Sequence, residues 1–87
     1  MRLFPTEHFT KSYENLPKDI RAQVDKQLSL LLKNPHHPSL RIKKMQGRRE
    51  QIFEGRISKD YRFTFQIESD TYILRKVGPH NQTLKNP

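Results

Sequence analysis

Cysteine is absent from the 87 residues. Its absence excludes a disulfide framework, a thiolate nucleophile and a zinc site built on thiolates. Apolar residues are scarce as well, at 32% of the chain, against ~45–50% in ordinary globular domains. A chain of this length also buries only about 60–65% of the surface its unfolded form exposes. These bounds predict one domain, spanning 1–87, with a thin core. No run approaches the ~20 apolar residues of a membrane span, and MRLFPTEHF lacks the apolar stretch of a signal peptide. The expected setting is therefore soluble and cytoplasmic. Neither GxxxxGK[ST] nor GxGxxG occurs, which removes the usual phosphate-cradling loops, and no serine elbow is present.

Acidic residues are the other shortage. Lys and Arg number 17 against 9 Asp and Glu, for a formal charge of +8. The excess is concentrated between 41 and 62, where Arg41, Lys43, Lys44, Arg48, Arg49, Arg56, Lys59 and Arg62 face only Glu50, Glu54 and Asp60. A charge run is usually a solvated face. Its concentration in one segment favours a phosphate or acidic partner, through counterion release and steering.

The apolar residues that remain are periodic. MRLF suits a short first strand ended by Pro5, and Thr6 is positioned as a helix N-cap with Glu7 in the first turn. Phe9, Tyr13 and Leu16 make one helical stripe; Pro17 and Asp19 open a second helix with Ile20, Val24, Leu28, Leu31 and Leu32. Asn34-Pro35 ends it. Residues 34–49 read as a loop with a short strand at its end. The period then changes from 3.6 to 2, giving strands at 51–57, 61–67 and 71–77, joined through 58–60 and 68–70. The expected fold class is α+β: an N-terminal helical hairpin packed in two layers on a small antiparallel sheet, in the order β-α-α-β-β-β.

In YRFTFQI the alternation sends Tyr61, Phe63, Phe65 and Ile67 towards the helices and leaves Arg62, Thr64 and Gln66 on the other face. No segment in the sequence is evident as a cover for that face. With Arg56 also outward and His80 arriving after Gly78-Pro79, the face offers two guanidinium groups and one imidazole. Metal-free RNA cleavage needs a base for the 2′-hydroxyl, an acid for the 5′-oxygen and cations for the phosphorane. Histidine suits either proton-transfer role, and Asp60 is the carboxylate placed to work with His80. The competing reading makes His80 a solvated loop residue and Arg56 and Arg62 edge-protecting charges. His8, His36 and His37 lack the spacing of metal ligands and are expected to be solvated, so no metal or other cofactor is expected.

Three stretches, FTKSYENLP, NPHHPSLRIKKMQG and IFEGRISKDYRFTFQIESDTYILRKVGPH, resemble the RelE/ParE toxin superfamily of type II toxin–antitoxin systems over nearly the whole chain. DYRFTF is similar to that family's Tyr-Arg strand, and the VGPHNQTL ending is similar to its YafQ branch. The resemblance implies a bacterial mRNA endoribonuclease acting in the ribosomal A site, neutralised in a hetero-oligomer with a cognate antitoxin. By position, His80 and Asp60 fall on the YafQ branch's histidine and aspartate, and Arg62 falls on RelE's phosphate-contacting arginine. Arg56 stands where the YafQ branch has a histidine, and Lys43 stands near another. Phe53 and Gly55 replace two RelE lysines, and Leu84 takes the place of a C-terminal aromatic.

The expected catalytic set is therefore His80, Asp60, Arg56 and Arg62. The expected RNA-binding set is Lys43, Lys44, Arg48, Arg49, Arg75 and Lys76. The expected products are a 2′,3′-cyclic phosphate and a 5′-hydroxyl. Two other readings stay open: a ParE-like toxin that binds DNA gyrase without catalysis, and a basic RNA-binding module. Against the last, Arg62, Thr64 and Gln66 stand where stacking rings are wanted.

Overall fold

The computed structural model describes residues 1–47 and 50–87. Thr6 opens the first helix, its hydroxyl oxygen accepting the Phe9 amide at 3.2 Å, so α1 runs from Glu7 to Glu14. Pro17, with no amide to satisfy, precedes α2, Lys18–Lys33. Asn34 closes it by donating its amide to Leu30 O at 2.7 Å. The stripe on α2 buries Val24, Leu28 and Leu31, together with Gln27, whose amide donates to Arg56 O at 2.9 Å. Leu32 was expected in that stripe but is exposed, because the step of about 100° per residue from Leu31 carries it off the buried face.

Tyr13 ties the helices by donating from Oη to Asp25 Oδ1 at 2.7 Å. This hydrogen bond raises the Tyr13 pKa, with desolvation second. The raised value means that the contribution is complete below pH about 10, the ordinary tyrosine value, and is lost as pH climbs past the folded value. Stability of the native chain should therefore fall more steeply in alkali than that of Tyr13→Phe, as read by denaturant midpoints across pH 8–12.

A five-stranded sheet follows, in the spatial order β1-β5-β4-β3-β2, comprising β1 (Arg2–Pro5), β2 (Lys43–Lys44), β3 (Phe53–Arg56), β4 (Tyr61–Glu68) and β5 (Thr71–Pro79). Three antiparallel steps return the chain to β1, which pairs parallel with β5. The sheet is thus mixed, where the sequence suggested an all-antiparallel one. The predicted two-layer order is otherwise present, with Phe9, Leu16, Val24, Leu28 and Leu31 packed in one cluster with Phe63, Phe65, Tyr72, Leu74 and Val77. Phe65 stacks between Phe53 and Phe63 at centroid separations of 5.4 and 5.5 Å.

Gly55 is the cross-strand partner of Phe63, and a Cβ there would lie 2.4 Å from the Phe63 ring. That ring is fully buried and has no room to yield. Gly55→Ala should cost about 1–3 kcal/mol, the range for overpacking a tight core, measured as a lower denaturant midpoint.

The open face is not bare. A third helix, α3 (His80–Lys85), stands in place of the expected C-terminal loop and folds back over β4 and β5. Gly78 permits the approach: a Cβ there would stand 3.1 Å from Thr83 Oγ1. Thr64 is fully buried on this face and donates to Pro87 O at 3.1 Å.

Candidate functional site

The site is built where β3 turns into β4. Ile57 and Ser58 donate their amides to Tyr61 O at 3.0 and 3.3 Å, closing a tight link that leaves Lys59 and Asp60 at its exposed tip. The first residue of α3 is anchored to this tip: the His80 amide donates to Asp60 O at 2.8 Å. Two residues 20 apart in sequence thus meet through one backbone bond, with both side chains exposed. The His80 imidazole leans on its neighbour, Nδ1 lying 3.3 Å from Asn81 Oδ1.

Arg56 and Arg62 are direct cross-strand partners, on the face opposite Gly55 and Phe63. Like charges placed so are unfavourable in a sheet. Burial lowers the Arg62 pKa first and the Arg56 charge second, with Arg41 adding to the effect; Glu54 and Asp60 oppose it. Arg62 remains a cation throughout the working range. A local conflict of this kind, kept in an otherwise consistent strand pair, is characteristic of functional positions.

The two guanidiniums differ in what they touch. Arg62 is turned onto the hairpin, its Nη1 facing Ser58 O at 2.7 Å, Tyr61 O at 3.0 Å and Lys59 O at 3.1 Å. The expectation of an Arg62 side chain lying open on the face is corrected accordingly. Arg56 engages Gln27 through its backbone carbonyl, and its guanidinium has no hydrogen-bond or ion-pair partner among the described residues.

Of the other candidates, Lys43 shares the open face and reaches Glu54 at 4.0 Å. Lys44, one residue on, faces the other side of the sheet opposite Phe53. A bulge opposite Thr64 and Phe65 leaves Arg75 without a ladder partner on β4, so Arg75 and Lys76 both point to the open face. Arg75 is engaged there, with Nε donating to Pro87 O at 3.0 Å and Nη1 to Gln66 Oε1. Lys76, opposite Thr64, makes no such contact and borders the edge near α1. Arg48 and Arg49 lie outside the described residues.

Two features escaped the sequence reading. Arg41 ends a 3-10 turn (Pro38–Leu40) in the left-handed conformation, at φ 45°, close enough to act on Arg62. No local signal marks an arginine there. His37, expected to be solvated, caps that turn by accepting the Ser39 amide at Nδ1, 3.1 Å.

Solved structures share this architecture. YafQ from E. coli strain BL21(DE3) superposes with a TM-score of 0.77 at 12% identity, over 92% of this chain and 93% of that one. The chain shares the fold of this solved toxin. The archaeal RelE of a RelE–RelB complex from Pyrococcus horikoshii OT3 gives 0.75 at 17% identity, over 94% and 97%. A YoeB/ParE toxin from Agrobacterium tumefaciens gives 0.77 at 14% identity, over 92% and 99%. No family model and no curated protein sequence matches the chain. Within this shared fold, the junction of the β3–β4 link with α3 is where this chain brings together His80, Asp60 and the Arg56–Arg62 pair.

Proposed function

We propose that this chain is the toxin of a type II toxin–antitoxin pair and cuts mRNA in the ribosomal A site without a metal. One observation carries the reading: the His80 amide is bound to Asp60 O, beside the Arg56–Arg62 pair, in a toxin fold. The chemistry follows from these groups. One of His80 and Asp60 takes the proton of a 2′-hydroxyl, whose oxygen then attacks the adjacent phosphorus. The bond from phosphorus to the 5′-oxygen breaks, and the other residue protonates that oxygen. Arg56 neutralises charge developing on the non-bridging oxygens. Arg62, already holding three hairpin carbonyls, acts as a positioning residue that fixes the tip to which His80 is anchored.

The products are a 2′,3′-cyclic phosphate and a 5′-hydroxyl. Purified protein, ribosomes and a defined mRNA provide the test, with the new 5′ ends labelled by polynucleotide kinase without prior phosphatase treatment. Direct labelling supports the mechanism, and ends that label only after phosphatase refute it.

Solved neighbours include RelE with RelB and YafQ with DinJ. By the same reading this chain assembles with its own antitoxin. Its net charge of +8 favours an antitoxin segment rich in carboxylates.

A further inference from the structure

A cleft of about 590 Å³ separates α1 from α3 and opens beside the candidate catalytic junction. Its floor is the end of β5, where Gly78 lets Thr83 approach and the Val77 amide donates to Ser12 Oγ at 3.3 Å. The walls carry His8 from α1 and Asn15 at its C-cap, Lys76 and Tyr61 from the sheet, and Gln82 from α3 and Asn86 at its C-cap. Tyr61 and Pro79 are ladder partners in that wall, each next in sequence to Asp60 or His80. The cleft is therefore contiguous with the junction.

The lining chemistry is selective. Among the described residues no carboxylate lines the cleft, while Lys11, Lys76 and His8 do. Lys11 is balanced by Glu7 at 3.1 Å, whereas Lys76 has no ion-pair partner among the described residues. The side-chain amides of Asn15, Gln82 and Asn86 are unspent among the described residues, and each offers both a donor and an acceptor. The half-buried Tyr61 supplies an aromatic surface. Cation, paired amides and a ring match the phosphate, the edge and the face of a nucleotide. The volume lies within the range of about 300–1,000 Å³ typical of small-ligand sites.

We infer that the α1–α3 cleft is a subsite for one ribonucleotide flanking the phosphodiester at His80, with Lys76 on its phosphate and Gln82 reading its base. The inference deepens the endoribonuclease reading and rests on RNA being the substrate. It assigns base preference to α1 and α3, outside the cationic sheet face.

The test uses the full ¹⁵N-labelled chain, titrated separately with the four nucleoside 3′-monophosphates and with inorganic phosphate. The expected result is movement of the Ser12, Gly78 and Thr83 amides by nucleotides, with one base preferred by about threefold or more. Lys76→Gln should weaken binding about fivefold, and Gln82→Ala should erase the preference; both side chains are surface-accessible, and unchanged spectra away from the cleft check that the variants fold. Shifts confined to the hairpin, or equal shifts from phosphate alone, overturn the inference. The binding readout needs no cleavage. Nucleotide binding without RNA cutting would sink the enzymatic reading and leave the cleft; cutting without nucleotide shifts at the cleft would do the reverse.

Discussion

His80→Ala should abolish mRNA cleavage, lowering turnover by about 10²–10⁴, the range that a positioned acid or base supplies. The fold should be untouched, because the contact that anchors residue 80 is made by its backbone amide, which alanine keeps. The side chain is exposed, and its hydrogen-bond partner among the described residues is Asn81. A denaturant midpoint within error of the native chain, together with lost cleavage, separates a chemical role from a structural one. Asp60→Asn should behave alike, since Asp60 also serves the anchor through its carbonyl and not its carboxylate. Loss of stability in either variant would show that the side chains matter to the junction, contrary to the present account.

Arg62→Gln carries the second large effect, by a different route. Removing the guanidinium releases the contacts to Ser58 O and Lys59 O, and with them the hairpin tip that accepts the His80 amide. A misplacement of about 1 Å in a catalytic group costs about 10²-fold in rate. The expected result is a loss of that order in kcat with KM changed little, and faster hydrogen exchange at the His80 amide. Arg56→Gln should show the opposite pattern at the amide. Its cation is in no hairpin contact, so exchange at His80 stays slow while transition-state stabilisation falls by about 10²–10³. Arg62→Lys keeps the charge without the planar fork and should rescue little. If Arg62→Gln raised KM and left His80 exchange unchanged, Arg62 would be a direct phosphate contact.

How much of this was legible in the sequence depends on which physical signal each feature leaves. The two helices and the strand at 61–68 announce themselves through caps and periodicity, because Thr6, Pro17 and the alternating aromatics each report a local preference. The facing of Arg62, Thr64 and Gln66 followed from the same alternation. What lay hidden left no local trace. α3 buries only Thr83 from its own sequence and has no apolar stripe to reveal it. The parallel pairing of β1 is decided by the return path of distant strands. The bulge at Arg75 inserts one residue into a regular pattern and turns two consecutive side chains to one face. The folding of Arg62 onto carbonyls three and four residues earlier is a rotamer choice made by the hairpin. The pairing of Asp60 with His80 was expected by resemblance to a family; its anchor, a backbone bond, is a tertiary fact.

Gly55 shows why resemblance needs geometry. The resemblance implies a lysine position in RelE, whereas the structure shows that a residue without Cβ is needed here to make space for the Phe63 ring. Arg56, one residue on, points to the other face, across from Arg62. The aromatic rings thus fill the helix-covered face of the sheet, while Arg56 and Arg62 stand on the opposite one.

The most direct test of the central claim is to induce the native chain and His80→Ala separately in bacteria and map the 5′ ends of cellular mRNA. The expected result is growth arrest with new in-frame ends for the native chain, and neither arrest nor new ends for the variant. Arrest by both chains without new ends would contradict it and point to a bound target such as DNA gyrase.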